Sequence, residues 1–398
     1  LSDPRDFRNL YLPYFRESQK GDAIKKEQLA DLWLRHPVRR QYSGIIFDPG
    51  ESGHSTHYNL FRGFPIVPKC GDCSLYLDLV RNVVCCGDAQ LSDYVLRWMA
   101  HAVQRPYELP GTALVLRGKQ GSGKGTFANV FGSLFGSHFR AFQHKDHLTG
   151  KFNSHLKHLL VVLADEITWG GKHEEAGTIK AMVTEPRLSV EQKGEAVYEV
   201  ANFKRLIITS NEKWCAPVEI NDRRFVVLNV GDCHVQDHAY FAAIHKQMES
   251  GGLEALMFEL SELDLSGFNV RAVPDLKGGA FDMKQRSMDS ATAFLFEIIN
   301  APDQDEWERK RERVKTEFHE QYLEWCEQHD KQRPDVESQF ARRLTEIFRV
   351  LPGALRTVRP RINGQQQHRW LLPSLTEAKR CFEEFINERS EIWQNGPD

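Results

Sequence analysis

The sequence of 398 residues has no marked excess of charge, because 52 basic and 55 acidic side chains leave a net charge of −3. This balance excludes a protein whose whole surface is basic. It is compatible with a local nucleic-acid interface, which depends on where the positive charge lies. The sequence also lacks internal repeats and low-complexity tracts, and its hydrophobic content of 41% is typical of a globular chain of about two or three domains.

Long hydrophobic runs are missing as well. The longest apolar run near the centre, residues 159–164, has six residues, whereas a membrane helix needs roughly 18 or more. The first residues show no basic stretch followed by an apolar one, so they do not match a secretory signal peptide. We therefore expect no membrane association. Because the chain begins at Leu1, we also expect it to be part of a longer protein.

Cysteine is too sparse and too widely spread for a disulfide scaffold, with eight residues in the whole chain. We expect reduced thiols in a cytosolic protein. Cys70 and Cys73, followed by Cys85 and Cys86, suggest a zinc site, but zinc ligands are usually separated by two or more residues. Small side chains buried on a helix are therefore the favoured interpretation of these four cysteines.

Four short runs that are apolar at every position predict a buried parallel sheet between residues 111 and 235. Strands that are covered by helices on both faces have this uniform pattern. A stretch with helical spacing, residues 127–135, directly follows the first run and completes the strand–loop–helix unit of an α/β fold. The four runs are residues 113–116, 159–164, 206–208 and 225–228.

The other parts of the chain differ from this α/β core in the spacing of their apolar residues. The last part combines an apolar helical stripe with a hairpin around Asn363-Gly364, which predicts a winged-helix-like DNA-binding domain. The predicted segments outside the core of residues 111–235 are a mixed α/β segment (1–70), a helical segment (71–110), a helical lid or connector (236–289) and the winged-helix-like domain (290–398).

A glycine-rich loop between the first predicted strand and its helix fits the pattern G-x-x-x-x-G-K. Successive backbone N–H groups of such a loop point at phosphate oxygens, the helix N-terminus adds positive potential, and Lys124 would hold the β- and γ-phosphates. Gly125 stands where most such loops have the Ser or Thr that binds Mg²⁺, so Thr126 is a candidate to contact phosphate or to reach the metal through water. The predicted nucleotide-binding residues are Gly118, Gly121, Ser122, Gly123, Lys124, Gly125 and Thr126.

Polar residues follow the other predicted strands. Asp165 and Glu166 end the second run, and we predict that Asp165 binds Mg²⁺ while Glu166 orients the water that attacks the γ-phosphate. Asn211 follows the third run, and its amide would lie beside the γ-phosphate if that strand lies between the first two. Arg223 and Arg224 precede the fourth run, and we predict that one of them acts on the nucleotide of a neighbouring subunit.

The order of these motifs resembles that of the superfamily 3 helicases of viruses and plasmids. The glycine-rich loop, the acidic pair, Lys193-Gly194 and Asn211 lie within 94 residues, in the order found in the helicase module of phage-type primase–helicases and primase–polymerases. The likeness extends to residues 59–64, to the helical segment that ends at 104–106 and to residues 372–375, so it covers most of the chain.

The resemblance implies an AAA+ type ATPase that uses ATP and Mg²⁺. Such proteins form a ring, expected to be a hexamer, around single-stranded DNA, with ATP between subunits. The segment 188–198 would then form a hairpin that enters the channel, and Lys193 would grip the DNA backbone. The resemblance also implies the cytoplasm of a bacterial host cell and a primase or polymerase domain on the same chain.

The C-terminal region adds a local basic surface. Between residues 337 and 372 there are seven arginines and two acids, which favours contact with DNA phosphates. The alternative is that this surface docks on an acidic helix predicted over residues 303–330. The predicted DNA-binding residues of the whole chain are Lys193, Arg342, Arg343, Arg356, Arg359 and Arg361.

Two other functions fit parts of the pattern. Glycine after Lys124 is also found in nucleotide kinases of the adenylate-kinase type, but residues 136–158 contain one arginine and such a kinase has no use for an acidic pair that activates water. A DNA-loading module that binds ATP without turnover is the other alternative, which Gly125 favours and Glu166 opposes. The helicase module remains the first hypothesis.

Overall fold

The structure is a computed structural model, and it divides the chain into two compact units, Leu1–Gly63 and Phe64–Asp398. Each unit is described by itself below. The described residues are 3–20, 23–50, 56–167, 173–194, 196–211, 224–274, 288–301, 304–329, 334–362, 365–386 and 393. Among them, no helix combines the length and the apolar character that crossing a membrane requires.

The first unit is small and has little core of its own. Ala30 and Pro49 are the buried residues in the part of it that the structure describes. Its first helix begins at Asp3, whose carboxylate accepts a hydrogen bond from the backbone N–H of Arg5 at 2.7 Å. The elements are α1 (Pro4–Leu10), the antiparallel pair β1 (Phe15–Lys20) and β2 (Ala23–Gln28), α2 (Leu29–Arg35), and the parallel pair β3 (Gly44–Ile46) and β4 (His57–Asn59).

The second unit begins with the predicted helical segment. The helix α3 (Ser74–Asp78) continues through a wider, π-type turn to Val84, and α4 spans Ala89–Gln104. Gly87, with φ +76°, separates the two helices. The Asp88 carboxylate accepts from the N–H of Leu91 at 3.0 Å and so caps α4, whose inner face buries Trp98.

The predicted parallel sheet is confirmed and has five strands. Its order is β11-β5-β10-β7-β6, with every neighbouring pair parallel, so β10 lies between β5 and β7 as the hypothesis for Asn211 requires. The elements of this core are β5 (Ala113–Arg117), α5 (Lys124–Ser133), β6 (Phe139–Phe142), α6 (Asp146–Thr149), β7 (Val161–Asp165), α7 (His173–Thr184), β8 (Arg187–Val190), β9 (Tyr198–Ala201), β10 (Arg205–Ser210) and β11 (Phe225–Asn229).

A hairpin projects between α7 and β10. The strands β8 and β9 pair antiparallel from Arg187–Ala201 to Val190–Tyr198, and Gly194 lies in the turn with φ +85°. The predicted hairpin around Lys193-Gly194 is therefore confirmed. The sheet is followed by α8 (His238–Gln247) and α9 (Leu253–Glu262), with a break at Gly251, where φ is +99°.

The C-terminal part has its own core of aromatic and aliphatic side chains, among them Phe294, Phe340 and Trp370. Its three-stranded antiparallel sheet has the order β12-β16-β13, and the short pair β14–β15 extends the same hairpin. Asn363-Gly364 lies outside the described residues. The elements are α10 (Ser290–Asn300), α11 (Gln304–Arg309), β12 (Glu312–Val314), α12 (Lys315–Gln328), α13 (Glu337–Phe348), β13 (Arg356–Val358), β14 (Arg361–Ile362), β15 (Gln365–Gln366), β16 (Arg369–Leu371) and α14 (Leu375–Ile386).

The acidic helix predicted over residues 303–330 is wrong in its extent. The described part of this range contains two helices, α11 and α12, separated by the strand β12. The strand forms because residues 312–314 pair with β16, which is far away in sequence. A pairing between distant segments has no local signature in the sequence.

Candidate active site

The glycine-rich loop lies at the carboxyl end of β5 and leads directly into α5. Gly121 and Gly123 have φ of +78° and +100°, a conformation that residues with a Cβ rarely adopt. A Cβ on Gly123 would also lie 2.9 Å from a ring carbon of Phe241, and one on Gly118 would lie 3.0 Å from the Val230 carbonyl oxygen. Backbone conformation and close packing therefore both require glycine in this loop.

Lys124 is the first residue of α5 and is almost fully buried. Its ammonium group donates to the carbonyl oxygens of Gly118 and Lys119 and to Oδ1 of Asn211, each at 2.8 Å. An ammonium has three N–H donors, so these contacts satisfy the group in its buried position. The lysine is thus held over the glycine-rich loop, between β5 and β10.

The two acids lie at the carboxyl end of β7. The Asp165 carboxylate accepts a hydrogen bond from Oγ1 of Thr209 at 2.6 Å, and the Glu166 carboxylate accepts one from Nδ2 of Asn211 at 2.7 Å. Glu166 has a φ of +52°, which is unusual for a residue with a Cβ and is found most often at functional sites.

The structure brings Lys124, Asp165, Glu166 and Asn211 together at one edge of the sheet. Asn211 joins the lysine to Glu166 through both ends of its amide, because β10 lies between the other two strands. Ligands of open parallel sheets bind at this edge. The cleft there has a volume of about 340 Å³ and is lined by Gly121, Gly123, Lys124, Gly125, Thr126, Asp165, Glu166, Thr209, Gln236, His238 and Phe241.

The groups in the cleft fit a phosphate-bearing ligand with Mg²⁺. The Ser122 hydroxyl is buried and has no hydrogen-bond partner among the residues that the structure describes, which leaves a donor for an anionic oxygen at the start of a helix. Carboxylate oxygens are the protein ligands that Mg²⁺ prefers, and Asp165 lines the same cleft as Thr126.

Several residues of the cleft were not predicted. Thr209 interrupts the apolar pattern of its strand, which is a weak signal, whereas Gln236 and His238 have none because the fold brings them in from a later segment. The backbone N–H of Gln236 donates to the Gly121 carbonyl at 3.3 Å, and Asp232 forms an ion pair with Lys119 at 2.8 Å. Residues 232–241 therefore pack directly on the glycine-rich loop.

The structure does not bring Arg224 to the site of its own chain. This residue immediately precedes β11, and its carbonyl accepts from the N–H of Ala113 at the start of β5. Because these strands are parallel, Arg224 lies at the amino edge of the sheet, opposite the glycine-rich loop. Arg223 lies outside the described residues.

Lys193 is exposed in the turn of the hairpin and does not line the cleft. Toward the turn end of β8, the Asn153 amide donates to the Ser189 carbonyl at 3.0 Å and accepts from the N–H of Glu191 at 2.9 Å. The neighbouring Phe152 is 57% exposed. An exposed aromatic ring beside this hairpin was not predicted from the sequence.

The predicted arginines of the C-terminal part differ in their surroundings. Arg343 contacts Asp289 at 3.2 Å and Glu346 at 2.8 Å, so carboxylates already hold its guanidinium. Arg342, although mostly exposed, contacts Glu346 at 3.0 Å. The exposed arginines of the hairpin form no ion pair within the described ranges; they are Arg356, Arg359 and Arg361.

The described residues do not support a zinc site. No group of three or more His, Cys, Asp or Glu side chains among them is arranged to hold a metal ion. Cys73 and Cys85 are buried at the two ends of the segment 74–84, and burial raises the pKa of Cys73 to about 11 and that of Cys85 to about 12. Cys70 and Cys86 are exposed.

The family profile that matches this sequence lies on the α/β core. A profile of a family of unknown function (DUF5906) matches residues 116–224, which contain the glycine-rich loop, both acids and the hairpin. The DNA primase-polymerase of Nitratiruptor phage NrS-1 is 28% identical over 184 residues, which are 45% of this chain and 25% of the relative. The match therefore spans about a quarter of that protein's length.

Comparisons of structure extend the likeness to nearly the whole chain. The apo structure of the NrS-1 C-terminal region superimposes with a TM-score of 0.64 at 16% identity and covers 94% of this chain and 100% of the other. A second apo form gives a TM-score of 0.65 and covers 93% of this chain. The chain is thus similar in sequence to a phage primase-polymerase and shares the fold of the C-terminal region of that phage's protein.

Proposed function

We propose that this chain is the ATP-dependent DNA helicase or translocase module of a phage- or plasmid-type replication protein, of superfamily 3. The observation that carries the proposal is the chain of hydrogen bonds from Lys124 through Asn211 to Glu166, with Asp165 beside it, above a glycine-rich loop. A lysine, two carboxylates and an amide in this arrangement are the groups that phosphoryl transfer to water requires.

Each group has a separate task in the proposed reaction. The N–H groups of the glycine-rich loop, the Ser122 hydroxyl and Lys124 bind the phosphates of ATP. Asp165, and Thr126 through water, would hold Mg²⁺, which would neutralise charge on the phosphates. Glu166 orients and polarises a water molecule, whose oxygen forms a bond to the γ-phosphorus while the bond to the bridging oxygen breaks. ADP and phosphate then leave.

The proposed site is completed by a second copy of the chain. Arg224 lies at the sheet edge opposite the glycine-rich loop, so it cannot reach the γ-phosphate of its own subunit. In a ring, expected to be a hexamer, that edge would face the cleft of the next copy, and Arg224 or Arg223 would stabilise charge there.

Single-stranded DNA is the proposed partner of two surfaces. The first is the hairpin, where Lys193 offers a positive charge and the exposed Phe152 offers a ring on which a base can stack. The second is the helix α13 with the following strands, which we propose to act as a winged helix and in which Arg359 and Arg361 are exposed. Arg343 is held by two carboxylates and is the weakest member of the predicted DNA-binding set.

The relatives support the replication setting. The curated relative is named a DNA primase-polymerase, and this chain matches a quarter of it. We therefore propose that a primase or polymerase domain belongs to the same longer protein and that it acts in the cytoplasm of a bacterial host cell. Glu166, held by the Asn211 amide, is placed to orient a water molecule as the acceptor of the phosphoryl group. This favours ATP hydrolysis over transfer of the phosphoryl group to a second nucleotide. Gly125 is the one observation that favours ATP binding without turnover.

ATP hydrolysis by the wild type, Lys124→Ala and Glu166→Gln tests the proposal. Each measurement is made with and without single-stranded DNA, with Lys246→Ala, an exposed lysine on α8, as the matched control. We expect both site variants to lose activity by at least about 100-fold, because each removes a group that acts on the transferring phosphoryl. We expect Glu166→Gln to retain ATP binding, since its amide keeps the shape of the side chain.

Two results would contradict this assignment. Phosphate transfer to AMP, with no release of free phosphate, would indicate a nucleotide kinase. ATP binding without turnover in every condition would indicate a loading module.

A further inference from the structure

Thr209 is a buried polar residue near the end of a strand whose middle is apolar. It follows Leu206, Ile207 and Ile208 on the central strand β10, and its side chain is 1% exposed. A buried hydroxyl without a partner would cost about 1–3 kcal/mol, whereas valine fits the same volume in a strand at no such cost. The hydroxyl therefore needs an explanation that packing does not provide.

The hydroxyl donates its single hydrogen to Oδ1 of Asp165 at 2.6 Å. The two residues are direct cross-strand partners in the parallel pairing of β10 with β7, so the contact is fixed by the register of the sheet. A hydroxyl has one O–H donor, and a carboxylate has two acceptor oxygens. The bond to Oδ1 consequently fixes the rotation of the Asp165 carboxylate and leaves its other oxygen for the cleft.

Thr209 also holds the backbone of the second acid. The N–H of Glu166 donates to the Thr209 carbonyl at 3.0 Å and lies 3.4 Å from its hydroxyl oxygen. These contacts occur where Glu166 has a φ of +52°, the bend that directs its side chain toward Asn211. A strained conformation of this kind persists only where neighbouring contacts enforce it.

We infer that Thr209 is a positioning residue, which orients Asp165 toward Mg²⁺ and fixes the backbone bend that presents Glu166 to the water. The inference rests on the proposed ATPase function. It assigns to Thr209 no contact with ATP, so the residue acts through the two acids alone. Partners that orient a metal ligand typically contribute 10- to 100-fold to metal affinity or activity.

The variants Thr209→Val and Thr209→Ser separate the hydroxyl from the shape of the side chain. Valine is isosteric and has no donor, while serine keeps the donor. Thr209→Cys is a second variant that tests the same loss if valine does not fold, because a thiol is a weak donor. Thr376→Val, at an exposed position of α14, is the matched control.

The main readout is the Mg²⁺ concentration at half-saturation of the binding of a fluorescent ATP analogue. We expect Thr209→Val and Thr209→Cys to raise it by about 10- to 100-fold, while analogue binding in excess chelator stays at the wild-type level. In steady-state hydrolysis we expect kcat to fall at saturating Mg²⁺ with little change in KM for ATP. Thr209→Ser should restore both values to within about threefold of the wild type.

The outcomes distinguish this inference from the proposed function. Wild-type Mg²⁺ half-saturation in Thr209→Val, or an equal loss in Thr209→Ser, would overturn the positioning role while leaving the ATPase assignment intact. A wild type that neither binds the analogue nor releases phosphate would overturn the proposed function, and this inference with it.

Discussion

Buried cations lie at both edges of the sheet. At the carboxyl edge, loop carbonyls and Asn211 satisfy Lys124. At the amino edge, Arg205 is fully buried and donates to carbonyl oxygens at the end of α4, including that of Arg105 at 2.8 Å. These carbonyls carry the negative end of the helix dipole, so the guanidinium caps the helix. Burial lowers the pKa of Arg205 to about 9, which leaves it charged at neutral pH.

His101 lies beside this arginine and makes stability depend on pH. Burial, and then the Arg205 charge, lower the pKa of His101 to about 4, while its ordinary value is 6.5. Between these values the unfolded chain binds the proton and the folded chain does not, so stability decreases as the pH falls from 6.5 to 4. Protonation of His101 should destabilise the fold by up to about 3 kcal/mol.

We predict that the thermal unfolding midpoint of the wild type falls between pH 7 and pH 5, and that His101→Gln reduces this fall. Some dependence should remain, because burial also lowers the pKa of His158 to about 4. His245→Gln, an exposed histidine on α8, is the control and should leave the slope unchanged. Identical slopes in the wild type and in His101→Gln would show that this imidazole is not the titrating group.

At the scale of elements, we propose that the hairpin β8–β9 binds single-stranded DNA through Lys193. We predict that Lys193→Ala weakens the binding of single-stranded DNA and reduces the slope of log K against log salt by about 0.7, the value for the loss of one phosphate contact. Fluorescence anisotropy of a labelled oligonucleotide at several salt concentrations measures this slope. Lys246→Ala should keep the wild-type slope. A weaker affinity with an unchanged slope would contradict a phosphate contact.

The elements that could be predicted are those with a local signature. Four strands were apparent because strands buried on both faces are apolar throughout, and the glycine-rich loop because its spacing is fixed by its chemistry. The strand β6 was missed because it is an edge strand in which only Phe142 is buried. The strand β12 was mistaken for helix because its pairing with β16 is not local.

The residues of the candidate site also divide into those with a local signature in the sequence and those without one. Lys124, Asp165, Glu166 and Asn211 lie at strand ends, and the order of the strands brings them together. Residues such as Gln236 come from a segment whose place on the glycine-rich loop depends on tertiary packing, so no pattern in the sequence indicates them.

At the scale of the whole molecule, the net charge of −3 is an average over unlike surfaces. Exposed positive charge lies in the hairpin turn at Lys193 and on the C-terminal hairpin at Arg359 and Arg361. Lys124 and Arg224 lie at opposite edges of one sheet. We propose that each edge carries one half of a hydrolytic site and that two copies of the chain complete it.

Complementation between two inactive variants tests this claim most directly. Lys124→Ala removes the phosphate-binding group, and the double variant Arg223→Ala/Arg224→Ala removes the groups proposed to act on the next subunit. We measure ATP hydrolysis with single-stranded DNA for each variant and for an equal mixture. Each variant alone should have at most a few per cent of wild-type activity. In randomly mixed rings, half of the subunits have the lysine and the other half have the arginines, so about a quarter of the interfaces combine both. We expect the ATPase activity of the mixture to rise toward about a quarter of the wild-type activity. A mixture as inactive as its components, or a fully active arginine variant, would contradict it.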